Sequence, residues 1–489
     1  MSTSRRPALP PTLWVTAEKL TQQVLWVVLF AVLGPLLGPR PYGVFALAMV
    51  AYGWLEAVMT DSMAEALLLV PEPSPHHYAV ANLTNLAVAV AASCFVVLAG
   101  FPLSILIHEP QFPAVMMALA PLPILGALMA GPIAYLKRKM QFRQFALRSM
   151  LGLAIGGAFG IVCALHGAGV WSLVAQILAQ RVAETLILWS VSGPIFQFRW
   201  NSLLFKELRG CAASVALARS WTWLSGLAPR VIIAALLGPT ALGLYSIASR
   251  IGDLICQVVL SPASQVAHLK LMQLTGDRAA LSQAFEDLVA RLALVAFPVA
   301  IGLAAVAHVL FQDWLGTKWA GADVATVWVV LTVLPWTIFY AATALFLGLR
   351  IYRLDQRIQL GLAVTTVIAA LVAAPYGLNA ACAALFFRLL ILMIVPVVFF
   401  KLYAGIDLRR LWRAVVGPLV AASTMGVCVA LASPVLTVYL GGELTLPVLV
   451  ILGVSLYAGA ILVLSPGHMR SLLADLGALL PRSWREAAP

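Results

Sequence analysis

The residues of this sequence most able to bind a ligand or an ion are the charged side chains that interrupt long apolar segments. Arg219 and Arg230 lie eleven residues apart in one such segment. Eleven residues are about three helical turns, so both side chains would share one helix face, about 16 Å apart along the axis. Because guanidinium groups bind phosphate oxygens in bidentate geometry, this spacing predicts a basic surface for a phosphorylated ligand. Alternatively, Arg219 extends its charged end to the membrane headgroups.

Further cations within apolar segments are candidates for the same ligand. Arg181 precedes Glu184 by one turn, and Arg250 precedes Asp253 by one turn. Neighbours at this spacing face each other on a helix, so each pair could instead be a structural ion pair. Arg388 has no acidic neighbour in the sequence. The predicted substrate-binding residues are Arg230, Arg219, Arg250, Lys19, Arg388 and Arg181.

Three carboxyl groups in the second apolar segment suggest a different chemistry. These residues are Glu56, Asp61 and Glu65. A carboxyl group at membrane depth can bind and release a coupling ion, H⁺ or Na⁺, because burial favours its protonated form. The same acids could equally neutralise arginines in the other half of the chain. Asp61 and Glu56 are the predicted ion-coupling residues, because Glu65 lies nearer to the membrane surface.

Motifs for covalent or metal chemistry are not found in the sequence. The chain has no P-loop, no DxD motif and no His or Cys spacing typical of a metal site. We therefore expect no cofactor, no metal and no catalytic residue, and a function other than that of an enzyme.

The composition determines the surroundings of these residues. Of 489 residues, 62% are apolar and 10% are charged, against roughly 25% charged in soluble domains. Apolar segments of about 20 residues, long enough to cross the bilayer as helices, recur along the chain, and they do not alternate as barrel strands do. The sequence therefore predicts an all-α polytopic membrane protein. The fourteen predicted helices are 14–37, 42–66, 80–106, 113–135, 145–166, 169–195, 213–237, 242–264, 288–311, 323–348, 356–375, 378–401, 413–433 and 445–465.

Lys and Arg are concentrated in alternate loops. One set of loops includes Lys137 to Arg143, Arg350 to Arg357 and both termini, whereas the opposite set is nearly free of positive charge. Such asymmetry predicts a cytoplasmic location for the charged loops, and therefore for both termini, in a bacterial inner membrane. The net charge of +12 is explained by this topology, so no nucleic-acid partner is expected. The longest charged loop, 266–290, has apolar residues at helical spacing and predicts an amphipathic helix at the membrane surface.

Two segments 200 positions apart have nearly the same sequence. Residues 36–48 read LLGPRPYGVFALA and residues 236–248 read LLGPTALGLYSIA. Six predicted helices separate them, so the two halves would be parallel repeats with a site between them. The same offset relates Lys19 to Arg219. We expect a six-helix lobe at 1–200, a second at 201–402, and two additional helices with a cytoplasmic tail at 403–489. On the fifth helix, Gly152, Gly156 and Gly160 predict close helix packing.

These motifs resemble those of the Wzx-type polysaccharide-transport flippases, whose superfamily includes the multidrug extruders. The resemblance covers residues 15–400 and includes TDSMAEALL at 60–68, SPAS at 261–264 and LGTKW at 315–319. Met63 stands where relatives often have a glycine, so the second helix would bend less. The resemblance implies two lobes that open alternately to each side of the membrane.

The same resemblance implies a substrate and partners. The expected substrate is an oligosaccharide linked to undecaprenyl diphosphate or a similar lipid, moved for exopolysaccharide, capsule or O-antigen synthesis. Membrane lipids, a polymerase and glycosyltransferases would be the partners. The alternative is an ion-coupled extruder of organic cations, for which a cavity of acids and aromatic rings would be expected rather than one with arginines.

Overall fold

Helices make up the structure, a computed structural model that describes residues 11–56, 62, 66–67, 70, 73–192, 200–274 and 276–464. No strand occurs in these ranges. The helices are α1 (Pro11–Leu37), α2 (Pro39–Glu56), α3 (Pro75–Leu106), α4 (Phe112–Arg138), α5 (Phe142–Leu165), α6 (Val170–Ser192), α7 (202–237), α8 (239–273), α9 (Arg278–Trp314), α10 (Ala322–Gly348), α11 (Tyr352–Ala373), α12 (Leu378–Leu402), α13 (Leu408–Gly441) and α14 (Leu444–Val463).

The lengths and composition of these helices confirm the prediction of a polytopic α-helical membrane protein. Within the described ranges, eleven helical segments are long and apolar enough to cross a bilayer. Large apolar side chains such as Phe95, Ile105 and Val463 are exposed on their outer faces. Exposure of this kind is stable only where the surrounding solvent is lipid. The chain is therefore a multi-pass membrane protein.

The chain divides into two compact units, Met1–Ser246 and Ile247–Pro489. In the second unit the core lies around Phe285, Phe346 and Phe400, whose rings pack edge to face or tilted. Trp319, in the LGTKW motif, is fully buried in this unit. The lobe boundaries expected at residues 200 and 402 are not tested by this division and stay predictions.

The repeated Gly-Pro turns have the same backbone conformation. Gly38 and Gly238 both have positive φ angles, 76° and 84°, which glycine adopts without steric cost. Each is followed by a proline at the start of a helix, where its fixed φ is favourable. The sequence repeat therefore corresponds to a structural one at these turns.

The two copies of the repeat also contact each other within the first unit. A Cβ atom placed on Gly43 would lie 2.6 Å from the carbonyl carbon of Pro239, and one placed on Gly243 would lie 2.7 Å from that of Pro39. Both values are well below the usual separation of two carbon atoms, about 3.5–4.0 Å. The helices α2 and α8 can approach this closely only because both positions are glycine.

The segment 266–290 differs from the prediction of one surface helix. Residues up to Gln273 extend α8, and α9 begins at Arg278, with Asp277 as its N-cap. Phe285 is fully buried in the core of the second unit. The apolar spacing therefore belongs to the end of α8 and the start of α9, and the start of α9 packs inside the second unit.

Candidate functional site

A cluster of five charged side chains lies where α1, α2, α5 and α6 meet in the first unit. Two arginines and three glutamates contribute, and they are Glu18, Glu56, Arg148, Arg181 and Glu184. Glu184 is fourteen residues from the start of α6, so it lies about 21 Å along that helix. We refer to these five residues as the charged cluster.

Arg181 holds two of the glutamates. Its guanidinium donates to Glu56 at 2.8 Å and to Glu184 at 3.4 Å. Gln180 donates a further hydrogen bond to Glu184 at 2.9 Å. The ion pair expected between Arg181 and Glu184 is therefore present. Glu56, in contrast, pairs with an arginine of its own unit, 125 residues away.

A serine connects the remaining two members of the cluster. The Ser149 hydroxyl donates to the Glu18 carboxylate at 2.7 Å and accepts from the Arg148 guanidinium at 3.0 Å. Glu18 also accepts a longer hydrogen bond, of 3.4 Å, from Gln22. Glu18 and Arg148 are each only 7% exposed. A carboxyl group and a guanidinium group are thus buried near each other with one hydroxyl between them.

Arg148 is incompletely paired for a buried guanidinium. It stacks on the Phe145 ring at 4.7 Å and approaches the Met129 sulfur at 3.9 Å, but its Nε has no partner among the residues that the structure describes. A guanidinium has five N–H donors, and burying them without acceptors costs free energy. No carboxylate of the described residues forms an ion pair with it, although Glu18 and Glu184 lie close enough to interact electrostatically. The unused donors can therefore bind an anion.

Four polar residues at four-residue spacing lead along α6 to the charged cluster. They are Ser172, Gln176, Gln180 and Glu184, which we call the polar stripe. Residues at this spacing share one helix face. The glycines predicted for close packing on α5 are the surface against which this face lies. Gly160 faces Gln176, Gly156 faces Gln180, and Gly152 faces Glu184. The glycines thus accommodate polar side chains as well as bringing two helices together.

The other predicted site residues differ in how far they are buried. Arg230 and Arg250 are half-buried, Arg250 in the second unit, and Lys19 is exposed. Arg388 donates to the carbonyl oxygen of Leu362 at 2.6 Å and to the Thr365 hydroxyl at 3.1 Å, which joins α12 to α11. The side chains of Arg219, Asp61, Glu65 and Met63 lie outside the described residues.

An apolar groove lies in the second unit between α9, α13 and α14. It has a volume of about 450 Å³, and its partly exposed rim includes Val299, Val450 and Val454. The one polar side chain in its lining, Tyr457, donates its hydroxyl to the carbonyl oxygen of Leu294 at 2.8 Å. The groove therefore offers an entirely apolar surface, suited to a hydrocarbon chain.

Glu18 and Arg148 were missed by sequence reasoning. Both lie inside the predicted helices 14–37 and 145–166, but near their ends and beside other charges, Glu18 next to Lys19 and Arg148 after Arg143, a position typical of residues at the membrane surface. The signal that could have found Arg148 is its position six residues into α5, on the side of the helix that carries Gly152. No three His, Cys, Asp or Glu side chains come together as metal ligands in the described ranges.

The chain is similar to a protein family, to a curated protein and to solved structures. The model of a family described as polysaccharide biosynthesis protein matches residues 32–324. Succinoglycan biosynthesis transport protein ExoT of Rhizobium meliloti (strain 1021) is 27% identical over 339 residues. That match covers 65% of this chain and 66% of the relative, just under two thirds of its length.

Two solved structures have a similar fold. Lipid II flippase MurJ in an inward closed conformation has a TM-score of 0.72 with 12% identity, over 94% of this chain and 100% of that structure. The inward-facing conformation of a multidrug resistance MATE family transporter of the MOP superfamily has a TM-score of 0.58 with 15% identity, over 78% and 94%. At these identities the likeness establishes the fold alone.

Proposed function

This chain belongs to the polysaccharide biosynthesis protein family, and from that premise we propose that it moves a polyprenyl-diphosphate-linked oligosaccharide across the bacterial inner membrane. The transported molecule would feed exopolysaccharide, capsule or O-antigen synthesis. Transport rather than catalysis is also the role in the names of the similar relative and of the similar solved structures. Each of the two features described above suits one part of such an amphipathic substrate.

The observation that carries the proposal is the buried Arg148 with unused donors. A diphosphate offers several anionic oxygens in the geometry that a guanidinium fork binds. A charge at membrane depth costs several kcal/mol unless it serves a partner or a cavity, so an incompletely paired one implies a ligand. Arg148 therefore adds to the predicted set of Arg181, Arg230, Arg219, Arg250, Lys19 and Arg388. To bind the diphosphate, the Arg181 guanidinium would first release one of its two glutamate partners.

The apolar groove supports the lipid part of the proposal. A polyprenyl chain has no hydrogen-bonding group, and the groove offers none because the Tyr457 hydroxyl is already bonded. Burial of apolar surface contributes about 25 cal/mol per Å². A groove lined by valines and leucines can therefore retain the lipid while its head group moves.

Contacts within the first unit support alternating access. At the ends of the helices where the repeated turns lie, α2 meets α8 at Gly43 and Gly243. Toward the opposite ends, the Nε2 atom of His77 of α3 lies 3.5 Å from the Glu207 carboxylate of α7. Leu208 of α7 is buried nearby in an apolar cluster with Tyr78. We propose that these two contacts open in turn, so that one side is closed whenever the other is open. In the predicted topology, the Gly-Pro turns lie on the outer side of the membrane.

Polymer output in cells tests the role of Arg148. In a strain that lacks the chromosomal copy, Arg148→Ala should abolish polysaccharide export and cause lipid-linked repeat units to accumulate. Arg230→Ala should do the same, and both variants should remain in the membrane. Arg143→Ala is the matched control, because Arg143 lies on the same helix but is exposed. Normal export by Arg148→Ala would exclude this residue from the site, and efflux of organic cations by the wild type without repeat-unit transport would favour an extruder.

A bulky substitution at the rim of the groove tests lipid binding separately from head-group binding. Val454→Trp places a large side chain in the groove, whereas Val438→Trp places the same side chain at an exposed position of α13 outside the groove lining. Export should fall at least tenfold in Val454→Trp and stay normal in Val438→Trp. Equal export by the two variants would contradict a lipid-binding role for the groove.

A further inference from the structure

Glu18 is a buried carboxyl group without a cationic partner. Its carboxylate accepts from the neutral donors Ser149 and Gln22 and forms an ion pair with none of the described residues. Glu56 and Glu184, in contrast, both contact Arg181. Burial in a medium of low dielectric constant disfavours an ionised carboxylate that lacks a counter-charge. Glu18 is therefore the member of the charged cluster best placed to hold a proton.

The charge balance of the cluster leads to the same residue. With all groups ionised, three glutamates and two arginines leave one excess negative charge within the described ranges. Outside the cluster, Lys137 is the charged group of the described residues that lies close enough to act on Glu18 electrostatically. One bound proton makes the cluster neutral, which is the favoured state within a membrane.

We propose that Glu18 binds one proton in each transport cycle and that this proton is the ion to which transport is coupled. The inference deepens the proposed function and rests on it. It differs from the sequence-based assignment to Asp61 and Glu56, because Glu56 is engaged by Arg181. A proton is a better fit than a metal cation, since no three acidic, His or Cys groups of the described chain are arranged as ligands.

The polar stripe supplies a route to the cluster from the start of α6. Ser172 is fully buried, and within the described part of the chain neither its hydroxyl nor the Gln176 side-chain oxygen has a hydrogen-bond partner. Buried polar atoms in this condition are typically satisfied by water. The stripe covers about 18 Å from Ser172 to Glu184, and Glu184 lies within electrostatic range of Glu18. Water held along the stripe would conduct protons between the side predicted to be outer and Glu18.

Ser149 links the proton to the substrate. When Glu18 is ionised, its negative charge acts on Arg148 through the shared serine. When Glu18 is protonated, that charge is removed and the Arg148 guanidinium attracts an anion more strongly. Binding of a diphosphate should therefore tighten as the pH falls through the range in which Glu18 takes up its proton.

Infrared spectroscopy of the purified protein tests the proton site without any substrate. The wild type should show a carbonyl band of a protonated carboxyl group that disappears on alkaline titration, and Glu18→Gln should lack it. Glu109→Gln is the matched control, because Glu109 is as buried as Glu18 but forms an ion pair with Arg40 at 3.0 Å; it should retain the band. Ser149→Ala keeps the carboxyl group, removes its hydrogen bond and should shift the band. A band that persists in Glu18→Gln, or none in the wild type, would overturn the proposal.

A pH gradient across proteoliposomes tests coupling. Transport of a fluorescent polyprenyl-diphosphate oligosaccharide by the wild type should change at least fivefold with the gradient. In Glu18→Gln any residual transport should not respond to it, and Gln176→Leu should slow the response. A rate that follows a Na⁺ gradient and ignores pH would refute proton coupling. If the wild type moves no substrate at all, the proposed function fails, whereas the infrared result still decides whether Glu18 binds a proton.

Discussion

The crossing of α2 and α8 allows a quantitative prediction. Gly43→Ala would place a methyl carbon 2.6 Å from the carbonyl carbon of Pro239 and 2.9 Å from the Gly243 nitrogen. Carbon atoms in contact are about 3.5 Å apart, and the Pro239 carbonyl oxygen would lie nearer to the added methyl than the carbonyl carbon does, so the two backbones must separate by at least about 1 Å. Overpacking of this kind typically costs about 1–3 kcal/mol, and the upper part of that range applies because backbone atoms cannot rotate away. Gly243→Ala should cost a similar amount, since its Cβ would lie 2.7 Å from the Pro39 carbonyl carbon.

The double variant distinguishes this contact from two independent defects. One such separation relieves both overlaps, so Gly43→Ala with Gly243→Ala should cost about as much as one substitution, about 2–3 kcal/mol, and not the sum. The apparent Tm of the purified protein in detergent measures this. Gly210→Ala is the control, because a Cβ there meets no atom within 4 Å, and Ala is the better helix former. Additive losses of Tm, or no loss in either single variant, would refute the contact.

Three further outcomes follow from the packing. Arg181→Ala leaves the buried Glu184 and the partly exposed Glu56 without their cation. Because Arg181 and Glu56 are themselves partly exposed, the loss should be about 1.5–3 kcal/mol, so less folded protein should be recovered by size-exclusion chromatography, and Arg181→Lys should restore part of it. Trp319→Ala empties a fully buried position and should lower stability by about 3–5 kcal/mol, seen as a lower apparent Tm. Gly156→Leu should lower the Tm by displacing α6 from α5. An unchanged Tm in Trp319→Ala or Gly156→Leu, or normal recovery of folded Arg181→Ala, would contradict the packing described.

Much of the fold could be predicted from the sequence because lipid imposes a simple rule. Each apolar segment of about 20 residues must be a helix, since the backbone has no other hydrogen-bond partner in the bilayer. The Gly-Pro turns could also be predicted, because glycine adopts the positive φ found at Gly38 and Gly238 without steric cost. The contact of Gly43 with Gly243 could not be predicted, because similarity between two segments does not show whether they contact each other.

The candidate site was less predictable, because its pairs are remote in sequence. Arg181 and Glu184 share a helix turn and could be paired by spacing alone. Glu56 is 125 residues from Arg181, and Glu18 is 131 residues from Ser149, distances that no helical periodicity relates. Charged residues near helix ends are usually explained by membrane topology, so Glu18 and Arg148 were not recognised as site residues. The arrangement of α1, α2, α5 and α6 was needed to bring them together.

Transfer of the lipid-linked substrate between leaflets by the purified protein is the most direct test of the central claim. A fluorescent polyprenyl-diphosphate oligosaccharide would be placed in proteoliposomes, and the fraction accessible to an externally added, membrane-impermeant quencher followed over time. We expect the accessible fraction to approach completeness with the wild type, while Arg148→Ala stays near the protein-free level and Arg143→Ala matches the wild type. Equal rates in vesicles with and without the wild-type protein would contradict the account.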